Sequence, residues 1–392
     1  MKNYLQLFFL LFFVNSIIGQ RIDVKFLFEG RLRESIIQIP RKAPPPGGYP
    51  VVMVLHSSAH DSDEPYNIFG WKELGESENF ITLYPSSLKW CVTEDSVEKV
   101  IARWVNGHVT DQPCSGPPQN YVDDVKFLKE LIRRVRDTFP VNSSKMYITG
   151  FSNGSAMVHK MAMDAGDVFS AAAGCGGILV KSDSVTNPVR RIPFWFMLGT
   201  SDNMFIVPPF TELPFYGDSI LEYLKVYLNR ILGCQGLTHT FDHSESQITQ
   251  TYHWKESQTG GSSTSPYIFT LVKNMGHQYP NGNNYPLEAA KLFWEFFKQS
   301  SIVETEEPTG KTLSVSAYPN PANERIYFQM DDGDLNLPYN LTVLNGCGQT
   351  IYQAKAKTES NFILDRKMLG SGLFIVKIQN VRLQSNLKIV FN

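Results

Sequence analysis

The sequence predicts an α/β fold, a mostly parallel sheet covered by helices, followed by a small all-β domain. Three observations carry this expectation. Continuous apolar runs at 51–55, 80–83, 194–198 and 267–272 read as strands buried on both faces, several of them passing at once into polar or turn residues. Segments of helical period lie between them: in 123–139, Val125, Leu128, Leu131, Ile132, Val135 and Phe139 share one face. Beyond residue 313 that period disappears, and short alternating stretches are separated by Asn, Gly and Pro.

Taken in order, residues 21–40 read as two strands around Glu29-Gly30, and the turn-rich RKAPPPGGYP follows. Asp123 and Asp124 open the helix over 123–139, where a helix N-terminus favours negative charge. Residues 146–149 are short and apolar and suit a strand. Residues 156–165 are good helix formers without Gly or Pro. An Ala-rich strand near 170–173, the strand 194–198, a helix near 219–232, the strand 267–272 and a helix over 286–297 complete the alternation. SIVETEEPTGKT is polar and acidic and reads as a linker. The expected organisation is a signal peptide over 1–19, an α/β domain over 20–298, a linker over 299–312 and a β-sandwich over 313–392.

At 392 residues, with 42% hydrophobic and 12% aromatic content, the chain can bury a large core and divide into two domains. A net charge of -2 and the absence of any long like-charge block leave no basic surface for nucleic acid. In MKNYLQLFFLLFFVNSIIGQ, Lys2 precedes an apolar stretch that ends in small and polar residues, the pattern of a secretory signal peptide. A membrane anchor is the competing reading, but the apolar core is short for a span, and no later segment is long enough. Export makes disulfides permissible for the five cysteines, Cys91, Cys114, Cys175, Cys234 and Cys347. Cys91 and Cys114 flank one Gly/Pro-rich excursion and are the favoured pair, with buried thiols as the alternative. No C-x-x-C spacing supports a zinc site.

The stretch MYITGFSNGSAMVHKMA, residues 146–162, places Gly-Phe-Ser-Asn-Gly between strand and helix. Gly150 and Gly154 permit a cramped turn with Ser152 at its tip, the nucleophile elbow of α/β-hydrolases. A serine that only caps the helix is the alternative. A serine hydroxyl is a poor nucleophile, so Ser152 needs a histidine base and an acid that orients it. In this fold they follow in the order acid, histidine, each after a strand. Asp202 in LGTSDN and His277 in KNMGHQYP occupy such positions. The oxyanion requires donors: the amide of Asn153, and one from HSSAHD after the strand at 51–55, with Ser57 or Ser58 as candidates. His56 and His60 raise a metal reading, weak without a third ligand.

With these motifs in place, residues 22–298 resemble the secreted esterases grouped around polyhydroxybutyrate depolymerases, feruloyl esterases and acetyl xylan esterases. The similarity covers YVDDVKFLKELI, MYITGFSNGSAM and the GH-x-x-P arrangement at His277. It implies an α/β-hydrolase fold, no cofactor, and a Ser152, Asp202, His277 triad working through an acyl-enzyme. One departure stands out: the family's oxyanion strand usually runs into His-Gly, whereas here Ser57 follows His56. Trp104 lies in the aromatic segment that in such esterases borders the acyl pocket, and core packing competes for it equally.

The tail, with AYPNPANERIYF, GSGLFIVKIQ and a final KIVFN, resembles a type IX secretion C-terminal sorting domain. That resemblance implies a Gram-negative source, passage through the inner membrane and the periplasm, and recognition by the type IX machinery. The expectation is a secreted or cell-surface serine carboxylesterase acting on an extracellular ester polymer or its fragments. A serine peptidase of the same fold, and a polymer-binding protein with a degenerate hydrolase domain, are the alternatives.

Overall fold

The computed structural model describes residues 19–94, 96–185, 188–206, 224–238, 240–254, 265–300, 315–330, 339–345, 350–357, 361–379 and 384–392. Residues 1–18 of the expected signal peptide, Cys347, nearly all of the expected linker and the start of the helix expected from 219 lie outside them. The chain divides into two compact units, 1–302 and 303–392.

The first unit is built on a ten-stranded sheet. The chain enters through β1 (Gln20–Phe28) and β2 (Arg31–Ile39), an antiparallel hairpin, and continues into β3 (Tyr49–Leu55). Two short helices, α1 (Asp63–Ile68) and α2 (Trp71–Glu78), lead to β4 (Ile81–Pro85). An excursion follows, made of the hairpin β5 (Lys89–Glu94) and β6 (Val97–Ala102) and the one-turn α3 (Gly107–Thr110). Helix α4 (Asp124–Thr138) then feeds β7 (Val141–Phe151), α5 (Asn153–Asp164), β8 (Ala171–Cys175) and β9 (Phe194–Gly199). The unit closes with α6 (Lys225–Gln235), the strands β10 (Phe241–Glu245), β11 (Thr249–Trp254) and β12 (Tyr267–Val272), and α7 (Ala289–Gln299).

Strand order is β1-β2-β4-β3-β7-β8-β9-β12-β11-β10. The central strands from β4 to β12 run parallel, while each edge is an antiparallel hairpin. Because side chains alternate across a strand, β3 sends Val51, Met53 and Leu55 into the layer holding α4, α5 and α6. Val52 and Val54 point into the opposite layer, with Trp71 of α2 and Phe293, Trp294 and Phe297 of α7. Both faces are therefore covered, which explains the unbroken apolar runs. This is the α/β-hydrolase architecture. The carboxyl ends of β3, β7, β9 and β12 reach the same sheet edge, where ligand sites of parallel sheets form.

Asp123 caps α4 through its side chain, which accepts from the Lys126 amide. Beside it lies a buried ion pair: Asp124 Oδ1 accepts from Arg33 Nη2 at 2.7 Å, and the guanidinium rests 3.5 Å over the Phe127 ring. Burial raises the Asp124 carboxyl's pKa and lowers that of Arg33, each opposed by the other's charge.

The second unit has an antiparallel three-stranded sheet, β13 (Val315–Tyr318), β14 (Arg325–Met330) and β17 (Asn361–Asp365). A four-stranded sheet adds β15 (Tyr339–Asn345), β16 (Thr350–Lys357), β18 (Gly372–Gln379) and β19 (Gln384–Phe391). Ile326 and Phe328 of one sheet and Val343, Val376 and Ile389 of the other share a core, as in a small sandwich.

Candidate active site

One residue, Ser152, separates β7 from α5. Its backbone sits at φ 53°, ψ −121°, a conformation that costs a residue with a side chain about 1–3 kcal/mol. The surroundings hold it there: the Ser152 amide donates to Cys175 O at 2.9 Å, and Ser152 O accepts from the Ala156 amide at 3.0 Å. The flanking glycines are required by close approach. A Cβ on Gly150 would lie 2.8 Å from the Gly154 backbone, and one on Gly154 would lie 2.5 Å from His56 O. Ser152 makes no side-chain cap bond to its helix, so its hydroxyl is free for another partner.

That partner is His277, whose Nε2 lies 2.9 Å from Ser152 Oγ. His277 Nδ1 lies 2.8 Å from Asp202 Oδ2. A carboxylate only accepts, so Nδ1 carries the proton and Nε2 presents its lone pair to the hydroxyl. Asp202 follows β9, is 1% exposed, and accepts from the Met204 amide at 3.1 Å. His277 follows β12, with the Phe151 ring 4.9 Å away on one side and the Phe205 ring at 6.0 Å. Three strand ends at one sheet edge, those of β7, β9 and β12, thus bring together groups 75 and 125 residues apart in sequence.

Asn153 begins α5, where the first amides have no acceptor within the helix. Across the cleft, the two serines after β3 behave differently. Ser57 is not a free donor: its amide and hydroxyl both bind the Glu64 carboxylate, each at 2.7 Å. Ser58 lines the cleft beside Ser152. Trp104 takes the second of its two expected places, the core: it is 0% exposed and is not among the residues lining the cleft. Its amide donates to Asn153 Oδ1 at 2.7 Å and its indole Nε1–H donates to His56 O at 3.0 Å.

The cleft encloses about 200 Å³. Glu94, Arg103, His108 and Gln112 form a polar wall, and Ala156, Met204 and Phe205 an apolar one. Glu94 and Arg103 form an ion pair, and burial lowers the pKa of His108, keeping its imidazole neutral. The polar wall comes from the excursion after β4, which the disulfide Cys91–Cys114 closes upon itself. Cys175 and Cys234 are buried thiols. Two larger concavities, about 390 and 480 Å³, lie away from the triad.

His56 has no free lone pair for a metal: Nδ1–H donates to Ser57 O at 2.7 Å and Nε2 accepts from the Ser87 amide at 2.9 Å. His60 is exposed, 3.6 Å from Glu64. Among the described residues, Cys91, Glu98 and Cys114 are spaced as metal ligands, but both sulfurs are spent in the disulfide. Glu64, His56 and Asn153 Oδ1 are structural participants that sequence reasoning missed. Their partners lie in other elements, and no motif carries them.

Residues 30–342 match the family model described as putative esterase. The chain belongs to the esterase family. The tail of this esterase-family protein, residues 316–392, matches the secretion system C-terminal sorting domain, which marks the chain for secretion. Among curated proteins it is 21% identical over 155 residues to a bifunctional acetylxylan esterase/xylanase of Neocallimastix patriciarum, covering 40% of this chain and 19% of that one. It is 24% identical over 132 residues to poly(3-hydroxyalkanoate) depolymerase C of Paucimonas lemoignei, covering 34% and 28%. The chain thus spans 19% and 28% of the length of these relatives. Similar solved structures include an acetyl xylan esterase from Aspergillus awamori, with TM-score 0.46, 16% identity and 71% and 99% coverage. Another is a ferulic acid esterase from Anaeromyces mucronatus, with TM-score 0.40, 12% identity and 73% and 92% coverage. No helix among the described residues is long and apolar enough to cross a membrane.

Proposed function

We propose that the esterase-family protein is a secreted serine carboxylesterase that hydrolyses ester bonds of an extracellular polymer or its fragments through an acyl-enzyme. The observation that carries this is the unbroken relay from Ser152 Oγ to His277 Nε2 and from His277 Nδ1 to Asp202, at 2.9 and 2.8 Å. His277 takes the hydroxyl proton as Ser152 Oγ attacks the ester carbonyl carbon. The amides of Asn153 and Ser58 donate to the oxyanion. His277 then protonates the departing alcohol, and water repeats the sequence to release the acid. The relatives named above act, by their names, on acetylxylan and poly(3-hydroxyalkanoate), and both classes suit a cleft with one polar and one apolar wall.

Within this reading the catalytic domain spans 20–298, the linker 299–312 and the sorting domain 313–392. The division into compact units after residue 302 supports that placement. A signal peptide over 1–19 would take the chain to the periplasm, and the type IX machinery would pass it outward. Ser152→Ala tests the chemistry: it is expected to keep the parent's Tm and to lose about 10⁶ in kcat on a p-nitrophenyl ester. A variant within tenfold of the parent would sink the assignment, as would a parent that cleaves peptides and no esters.

A further inference from the structure

We infer that Trp104 is a positioning residue that holds the two halves of the oxyanion site in register, an inference that rests on the esterase reading above. One half is the Asn153 amide at the start of α5. The other is the loop after β3, ending in Ser58. The two belong to different elements, and a pair of donors aimed at one oxygen works only if their separation is fixed to a fraction of an ångström.

Trp104 bonds to both. Its amide donates to Asn153 Oδ1 at 2.7 Å, across 49 residues of sequence. Its indole Nε1–H donates to His56 O at 3.0 Å, across 48 residues. The indole also packs on the His56 imidazole, with ring centroids 4.9 Å apart. His56 and Ser57 pass the constraint on, because the imidazole is bonded to Ser57 O and the Ser87 amide, and Ser57 to Glu64.

Trp104 is itself anchored. It sits in an irregular segment whose amides are tied one after another to fixed acceptors: Arg103 to Leu88 O, Val105 to Asp124 Oδ2 and Gly107 to Asp183 Oδ2. Asp124 is pinned by the buried Arg33. The segment therefore acts as a strap fastened to the α4 N-terminus, and Trp104 is the point at which it grips the site. Neither of its bonds reaches substrate, so the effect is on alignment.

Trp104→Phe keeps the ring and the backbone amide and removes only the indole N–H. The expected result is a fall in kcat of about 10- to 100-fold, with KM within threefold, because the lost alignment matters to the developing oxyanion and not to the bound ester. Trp294→Phe is the matched control. It removes the indole N–H bond of another buried tryptophan, to Glu78 Oε2 at 2.9 Å in the opposite core layer, and is expected to lower Tm and leave kcat unchanged. Asn153→Ala, which cuts the other bond, is expected to show the same loss confined to kcat, and it serves if Trp104→Phe does not fold. If both site variants keep kcat within twofold, or if Trp294→Phe loses kcat equally, the inference is overturned while the esterase reading stands. A folded parent that neither hydrolyses esters nor is labelled by a fluorophosphonate overturns both.

Discussion

His56 and His159 are wholly buried, and desolvation pushes their imidazoles down to about 4 and about 3. His159 sits in α5, with Nδ1 3.0 Å from Ser155 O and Nε2 2.9 Å from Tyr227 OH. In the folded chain both stay neutral, whereas in the unfolded chain each binds a proton near the reference value of about 6.5. Below that pH the unfolded state holds more protons, so stability falls as pH drops from about 6.5 towards 4. Above about 7 the two histidines contribute no slope. His159→Gln should reduce the slope of unfolding free energy against pH by up to about 1.4 kcal/mol per unit between pH 6 and 4. Urea melts across that range would show it, and an unchanged slope would contradict the assignment. Asp202 offers a different residue-scale test. Asp202→Asn leaves the base present but misorients it, so kcat should fall by about 10⁴, less than for Ser152→Ala. Full activity in steady-state assays would mean that another acid orients His277.

The elements that sequence made legible are those whose burial shows in one dimension. β3, β9 and β12 are apolar on both faces, and α4 buries Phe127, Leu128, Leu131, Ile132 and Val135 at helical spacing. β10, FDHSE, is exposed at every position and is held by backbone pairing with β11 and by the Phe241 and His243 rings against Tyr252 and Trp254, so it carries little apolar signal. β6 is likewise exposed over most of its length. The grouping of Ser152, Asp202 and His277 was readable because each follows a strand in a fixed order. Ser57 and Trp104 were not, since a donor's availability and an aromatic ring's burial depend on elements distant in sequence, α1 for one and α5 with β3 for the other. The excursion carrying the polar wall depends on its crosslink. Cys91 and Cys114 close a loop with a separation of 23, worth about 3 kcal/mol by restricting the unfolded chain. Replacing both with serine should lower Tm by roughly 5 °C in calorimetry. A shift under 1 °C would mean that the strap and the small core of Trp90, Val92, Val109 and Val122 hold the excursion unaided.

On the scale of the whole molecule, the proposed chemistry and the sorting match fall in different units. Ser152, Asp202 and His277 lie in the first, and the sorting match covers 316–392 in the second. Deleting 306–392 should leave kcat/KM on soluble esters near that of the parent and strand the enzyme in the periplasm. Cell fractionation with parallel assays decides this: unchanged export would defeat the sorting role, and lost turnover would defeat the proposed boundary. The arrangement of the site also has a bearing on timing. Ser152 and His277 are 125 residues apart, and their meeting requires β12 to dock on β9. During synthesis Ser152 emerges long before His277, so under the proposed mechanism the nascent chain should be chemically silent until that distant pairing closes. In refolding experiments turnover should return after far-ultraviolet ellipticity, paced by the slow formation of non-local contacts.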